Sequence, residues 1–297
     1  MGAVPGDRGK STAEPMVVSF LGVRGSTPCS CPTLARYGGN TSCVAVESPG
    51  HDPIVFDLGT GLRQWGRALG SSTAMTIHAL VSHLHWDHVQ GLPFFAPLFC
   101  PDTTLAVYGP PDGEESFAGS FGRFMKPPFV PIEASQLPGE VVFRDLVSAE
   151  IGIAGARVRA RSVPHVGATN GYRVERGGVS VAYVSDHQEP IGRPDHVDDV
   201  VLELCADVDL LIHDAQFTPG ELEARRDWGH CTVDYAIEVA RQAAARRLVL
   251  FHHDPARDDD ELDRVAGRAA ERGRAVGLAS VLVAAEGMKI TLGTGID

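Results

Sequence analysis

From residue 16 onward the chain alternates short apolar runs with turn-rich loops and amphipathic stretches. Val17–Leu21 reads as a buried strand ending in the loop Gly22-Val23-Arg24-Gly25-Ser26-Thr27-Pro28. Ser42–Glu47 alternates as a strand, Ile54–Asp57 is a second, and Ser48–Pro53 joins them as a hairpin loop. Leu62–Leu69 has helical spacing and stops at Gly70. Met75–Val81 is the next strand. A helical or turn segment over His88–Phe99 follows, interrupted at Gly91 and Pro93. Leu105–Tyr108 is a strand closed by Gly109-Pro110-Pro111. Phe117, Phe121 and Phe124 then recur at helical spacing before Pro127-Pro128-Phe129 stops them. That aromatic segment is either a satellite core or a flap over a pocket.

The second half repeats the rhythm. Val141–Leu146, Ile151–Ile153 and Val158–Val163 read as strands, the last ending at Pro164-His165. Gly171–Glu175 and Val179–Val184 form a hairpin across Arg176-Gly177-Gly178 and end at Ser185-Asp186. Helical patterns follow over Val197–Leu204, Glu221–Arg226, Thr232–Ala244 and Asp258–Arg272. Thr232 and Asp258 or Asp259 are the capping candidates. Between them lie the strands Val208–Ile212 and Arg247–Phe251. Ser280–Val283 and Met288–Leu292 close a last sheet edge. Two halves of strands with helices outside predict an α/β fold, a four-layer αββα sandwich of two mixed β-sheets flanked by helices. Residues 1–15 read as a disordered polar tail and 16–297 as a single domain.

Histidines and carboxylates collect at strand ends: Asp57, His83-Leu84-His85-Trp86-Asp87-His88, His165, Asp186, His213-Asp214 and His252-His253. A strand end is a rigid mount that opens on a loop face. One such histidine is ordinarily structural. Three histidines and an aspartate within six residues are the donor set of a metal site, matching zinc, iron or manganese better than calcium.

Composition narrows the partners. Of 297 residues 43% are hydrophobic, and 38 acidic against 26 basic residues give a net charge of -12. A broad basic stripe is lacking, so extended nucleic-acid binding is not expected. A small anionic substrate remains open, because bound cations invert the local field. Six cysteines show no disulfide rhythm, and Cys29-Ser30-Cys31 has no second close pair to complete a zinc site. Neither a leader-like apolar segment nor a membrane-length apolar run occurs. A soluble cytoplasmic protein with free thiols is expected.

His83-Leu84-His85-Trp86-Asp87-His88 resembles the metal motif of the metallo-β-lactamase-fold hydrolases. Asp57 in Phe56-Asp57-Leu58-Gly59 is similar to the family's early Asp motif. His165, Asp186 and His252 resemble its later ligands. His213-Asp214-Ala215-Gln216 and Gly229-His230-Cys231-Thr232 are similar to two motifs of ribonuclease Z and its phosphodiesterase relatives, usually His-Glu-Ala-Thr and Gly-His-Ser-Thr. Phe20-Leu21-Gly22 and Gly25-Ser26-Thr27-Pro28 resemble that branch's start. The chain departs in Asp214 and Cys231, and it lacks the Gly- and Lys-rich arm that grips tRNA.

The resemblance implies two divalent metal ions, zinc first, with manganese or iron as alternatives. His83, His85 and His165 would hold one; Asp87, His88 and His252 the other; Asp186 would bridge them. His253 stands beside His252 as a rival for the last position. A hydroxide held between the cations would attack phosphorus. Asp87, His230 and Asp214 are the catalytic candidates, His230 as proton donor and Asp214 as its orienting carboxylate. The favoured reading is a phosphodiesterase for a small or cyclic phosphodiester. Alternatives are a lactone, β-lactam or thioester hydrolase and ribonuclease Z-type RNA 3′ processing. A di-iron redox or sensor protein ranks last. The branch implies a homodimer, with Phe117–Phe129 as candidate interface.

Overall fold

The computed structural model describes residues 14–293; most of the expected N-terminal tail lies outside the described residues. The first half forms β1 (Met16–Gly22), β2 (Cys43–Glu47), β3 (Ile54–Phe56), α1 (Leu62–Leu69), β4 (Thr76–Leu80), β5 (Thr104–Gly109), α2 (Phe117–Gly122) and β6 (Glu140–Asp145). The second forms β7 (Glu150–Ile153), β8 (Ala156–Ser162), β9 (Asn170–Arg176), β10 (Val179–Val184), α3 (Asp199–Cys205), β11 (Leu210–Asp214) and α4 (Pro219–Leu222). It continues with α5 (Val233–Gln242), β12 (Arg247–Phe251), α6 (Asp259–Ala275), β13 (Ser280–Val283) and β14 (Lys289–Leu292). Two seven-stranded mixed sheets result, β14-β1-β2-β3-β4-β5-β6 and β13-β12-β11-β10-β9-β8-β7.

Strand alternation assigns each side chain to a layer. Val44 and Val46 of β2 face the core between the sheets, with Phe20, Phe56, Tyr183 and Phe251. Cys43 and Ala45 face outward to α1 and α2, with Trp65, Phe95, Phe117 and Phe121. Beyond the second sheet, Ala182, Leu211 and Leu250 pack on Val201, Tyr235 and Leu262 of α3, α5 and α6. Three apolar layers therefore separate four structural ones, as the αββα expectation requires.

The capping chemistry acts as read. Thr232 accepts from the Tyr235 N–H to start α5, and Asp258 forms a capping box with Glu261 to start α6. Three local expectations differ. The helix expected over Glu221–Arg226 is one turn at Pro219–Leu222, because Thr218 and Glu221 form the capping box earlier and Pro219 occupies the first turn. His88–Phe99 breaks into short 3₁₀ turns, with Pro93 and Pro97 each in a first turn. Ser280–Val283 and Met288–Leu292 do not close one edge together. β13 edges the second sheet, whereas β14 crosses back to pair antiparallel with β1 of the first.

Candidate metal centre

In the first sheet β3, β4 and β5 run parallel. In the second β10, β11, β12 and β13 run parallel. Loops leaving the carboxyl ends of β4, β8, β10 and β12 bring the donors together at one edge of the sandwich. His83, His85, His165 and Asp186 offer ligand atoms within 4.8 Å of one another, and so do Asp87, His88 and His252. Asp186 faces both groups. Its Oδ2 lies 3.8 Å from Nε2 of His83 and of His165, its Oδ1 3.2 Å from His88 Nε2 and 3.4 Å from His252 Nε2.

Three of the rings, those of His88, His165 and His252, are turned by a hydrogen bond on the far nitrogen, the usual outer support of a metal-binding imidazole. His88 Nδ1–H donates to Asp57 Oδ2 at 2.8 Å, His165 Nδ1–H to the Gly229 carbonyl at 2.7 Å, and His252 Nδ1–H to Gln216 Oε1 at 2.9 Å. Those bonds leave each Nε2 lone pair aimed into the cluster. Asp57 is itself saturated by the Ser82 N–H (2.7 Å), Ser82 Oγ (3.0 Å) and the Tyr183 hydroxyl (2.7 Å). The Ser26 N–H donates to Asp87 Oδ2 at 2.8 Å. Two close approaches demand glycine: a Cβ on Gly25 would enter the His252 ring, and one on Gly229 (φ +88°) the His165 ring.

Burial lowers the pKa of His83, His85 and His165, so these rings stand neutral, the form that binds metal. Burial opposes ionisation of Asp87 and Asp186, yet the surrounding histidines overcome it and hold both carboxyls well below the usual range. The donor set fits divalent cations on two further observations. Nε2 of His83 and of His88 is buried without a hydrogen-bond partner. His165 Nε2, its proton on the other nitrogen, faces His85 Nδ1 at 3.3 Å. Lone pairs so placed need a proton or a cation between them.

His230 stands beside this cluster. Its Nδ1–H donates to Asp214 Oδ2 at 2.8 Å and lies 3.7 Å from Asp186 Oδ2. Burial resists its protonation, but Asp214, with Asp186 and Asp87 behind it, pushes the pKa up to about 9. Asp214 also accepts from the His187 N–H (3.1 Å) and the Gln216 N–H (2.9 Å). Ser26, His85, Trp86, Asp87, Val166, Asp186, Asp227, Trp228, His230 and His252 line an open cavity of about 480 Å³. His253 points elsewhere: its Nε2–H donates to the Ala284 carbonyl at 2.9 Å. His213 faces away as well, donating from Nδ1 to the Asp214 carbonyl and accepting from His187 Nδ1. Cys29 and Cys31 are free thiols outside both donor groups.

Residues 53–253 match the family model described as "Beta-lactamase superfamily domain". The ribonuclease Z of Salinibacter ruber is 30% identical, over 76% of this chain and 82% of its own. That of Haloferax volcanii is 28% identical, over 80% and 84%. Among solved structures, the short form of human tRNase Z superposes with a TM-score of 0.63 at 22% identity, covering 92% of this chain and 98% of that one.

The chain belongs to the β-lactamase superfamily, in its ribonuclease Z-like branch.

A member of this branch is a metal-dependent hydrolase of phosphodiester bonds, and its His/Asp cluster binds divalent metal. One expectation falls. Extended nucleic-acid binding is not excluded, since relatives aligned over four fifths of the chain are ribonucleases. The inference from net charge fails because a global sum says little about the field at a site where cations sit. Among the described residues no helix is long and apolar enough to cross a membrane.

Sequence reading passed over several of the branch member's supporting residues. Ser82 and His187 carry no motif signal of their own, and Tyr183 had one only through its place three residues before Asp186. Gln216 had one, its place two residues after Asp214 in the His213-Asp214-Ala215-Gln216 motif.

Proposed function

We propose that the protein is a two-metal phosphodiesterase that cleaves RNA in the manner its ribonuclease Z relatives' name implies. The observation that carries the proposal is the His230–Asp214 pair, a charged proton donor held at 2.8 Å beside Asp186 and open to the metal cavity. Expelling a ribose alkoxide from phosphorus calls for such a donor, and since a lactone's alkoxide would need the same proton, it is the ribonuclease Z relatives that favour phosphorus.

His83, His85 and His165 would hold one cation and Asp87, His88 and His252 the other, with Asp186 shared between the two groups. Zinc suits this nitrogen-rich donor set best. When bound, the pair lowers the pKa of water and neutralises charge on the phosphate oxygens. The chain's own residues do the remainder. Asp57 and Ser82 hold the His83–His88 loop, and the Ser26 N–H fixes the Asp87 carboxylate. His230 spends Nδ1 on Asp214 and keeps Nε2 for the leaving ribose oxygen, to which it passes a proton.

A short or cyclic phosphodiester is the competing substrate, favoured by the cavity of about 480 Å³. A panel at fixed metal loading decides: RNA with a 3′ extension, cyclic nucleotides, bis-p-nitrophenyl phosphate and a lactone. RNA should have the highest kcat/KM. Preference for a cyclic phosphate would replace the substrate class, and lactone turnover above all phosphodiesters would overturn the proposal. Elemental analysis of the purified protein should find two zinc ions per chain; stoichiometric iron would refute the metal assignment.

A further inference from the structure

The chain has three tryptophans, and they are used in two ways. Trp65 is packed in the core outside the first sheet, stacked on Phe95. Trp86 and Trp228 are 48% and 57% exposed, and both line the metal cavity. Leaving two such large apolar faces in water forfeits burial that the fold collects from Trp65. Their positions give a reason. Trp86 sits between His85 and Asp87, carried by the first half of the sandwich. Trp228 comes from the second half, two residues before His230.

Both rings are braced. Phe124 meets Trp86 edge-on, with centroids 5.2 Å apart at 76°. The Arg225 guanidinium lies 5.6 Å from the Trp228 ring centroid and 5.3 Å from that of Phe217. The Trp228 backbone amide, besides, donates to the Arg225 carbonyl at 3.0 Å, which fixes the turn that carries the ring. An aromatic ring held from one side and open on the other is a stacking platform, and every nucleobase offers it a flat face.

We propose that Trp86 and Trp228 stack the bases flanking the scissile phosphate, making the mouth of the cavity a sequence-tolerant nucleobase subsite. The inference rests on the RNA-cleaving reading and names what that reading recognises: bases, without a hydrogen-bond code. One platform serves the nucleotide on the 5′ side of the phosphate and the other the nucleotide on its 3′ side.

The test is calorimetric titration of the metal-loaded protein with 3′-AMP, 5′-AMP and ribose 5-phosphate. The two AMP isomers place the base on opposite sides of a phosphate seated at the metals. Each should bind at least about fivefold tighter than ribose 5-phosphate, the lower end of what one stacked base contributes. Trp86→Ala should abolish that advantage for one isomer and Trp228→Ala for the other. Trp→Phe should restore most of it, with metal content measured in every variant. Equal affinity for AMP and ribose 5-phosphate, or an advantage that survives both alanine variants, overturns the inference. The enzymatic reading fails separately. Bases held by the two tryptophans in a protein that cleaves no RNA would leave the subsite standing and remove the activity; RNA cleavage with no base advantage would do the reverse.

Discussion

Asp214→Asn isolates the proton donor, since it removes one charge and almost no volume. In the native site Asp214 is fully buried and accepts three bonds: from His230 Nδ1 at 2.8 Å, the Gln216 N–H at 2.9 Å and the His187 N–H at 3.1 Å. An asparagine has one oxygen for those donors and must turn its amide hydrogens on at least one of them. That mismatch costs about 1–3 kcal/mol of stability. The larger effect is on His230, which Asp214 and its neighbours lift from 6.5 to about 9 against the pull of burial. The lift is worth on the order of 3 kcal/mol. Without Asp214 the largest raising influence on His230 is gone while burial still opposes the charge, so the pKa falls and fewer rings carry the proton near pH 7.5. Bound cations lower both values in parallel, so the difference between native and variant is the quantity to read.

The smaller protonated population and the lost orienting bond together should remove roughly 10²–10³-fold in kcat, within the usual contribution of general acid catalysis. Cleavage of RNA and of bis-p-nitrophenyl phosphate should be compared at matched metal content. A ribose oxygen needs the proton; p-nitrophenolate leaves readily without it. The loss on RNA should therefore exceed that on the nitrophenyl ester by at least about tenfold. Activity needs the acid protonated, so it declines as pH rises through the His230 pKa, and in the variant the decline should begin at lower pH. Equal losses on both substrates would show Asp214 to be merely structural, and undiminished RNA cleavage with both metals bound would remove the pair from the mechanism.

Three further outcomes follow from the same geometry. Asp57→Asn places an amide among four donors and frees the His88 ring, so metal affinity at the Asp87–His88–His252 group should drop about 10–100-fold in a competitive chelator titration; unchanged affinity would deny Asp57 its supporting role. Gly229→Ala, at φ +88° and against the His165 ring, should cost at least about 1–3 kcal/mol in chemical denaturation and weaken the His83–His85–His165 group; native stability would contradict the packing. Burial, with the nearby Arg24 and Arg257 cations, pushes His253 from 6.5 down to about 3. The unfolded chain then binds the extra proton first, so stability is full above pH 6.5 and is lost as pH falls from there towards 3, by up to about 4–5 kcal/mol. In His253→Gln the acid limb of unfolding free energy against pH should flatten by up to one proton, and an unaltered slope would exclude His253 as its source.

Much of the site was legible because its donors obey a local rule. Asp57, His83 at the head of its loop, His165, Asp186 and His252 each stand within three residues of a strand's carboxyl end, so finding the strand finds the ligand. The layers were legible because Cys43/Ala45 and Val44/Val46 already show the two-residue period. What stayed hidden are relations between segments. Tyr183 bonds Asp57 across 126 residues, and Gln216 turns the His252 ring across 36. No local pattern holds such pairs. The alternation of β14 is the same whether it edges one sheet or the other, so its crossing to β1 could not be read. His253 could not be separated from His252 until the backbone turned, His252 standing at φ +57° and His253 bonded to the Ala284 carbonyl. Tryptophan in a sequence reads as core, and only exposure sets Trp86 and Trp228 apart from Trp65.

The two departures from the ribonuclease Z motifs show how a local mismatch is absorbed. Asp214 is a methylene shorter than the glutamate usual at its position, which put its reach to His230 in question. The reach is recovered by where the two residues stand. Asp214 is the last residue of β11, and Gly229 at φ +88° turns the chain so that His230 Nδ1 comes to 2.8 Å. Cys231, in the serine position, points back at the same strand end. Its Sγ donates to the Asp214 carbonyl at 3.0 Å and lies 3.8 Å from His213 Nδ1. Burial first, then Asp214, Glu189 and Asp186, keeps that thiol protonated, so it acts as a donor and not as a metal-binding thiolate. Cys231→Ser should therefore preserve the pair, whereas Asp214→Glu at this strand end must push its carboxylate into a site already filled by His187, Gln216 and His230. The shorter acid and the wider thiol belong to one packing solution, and their effects on kcat should be non-additive in a double-mutant cycle.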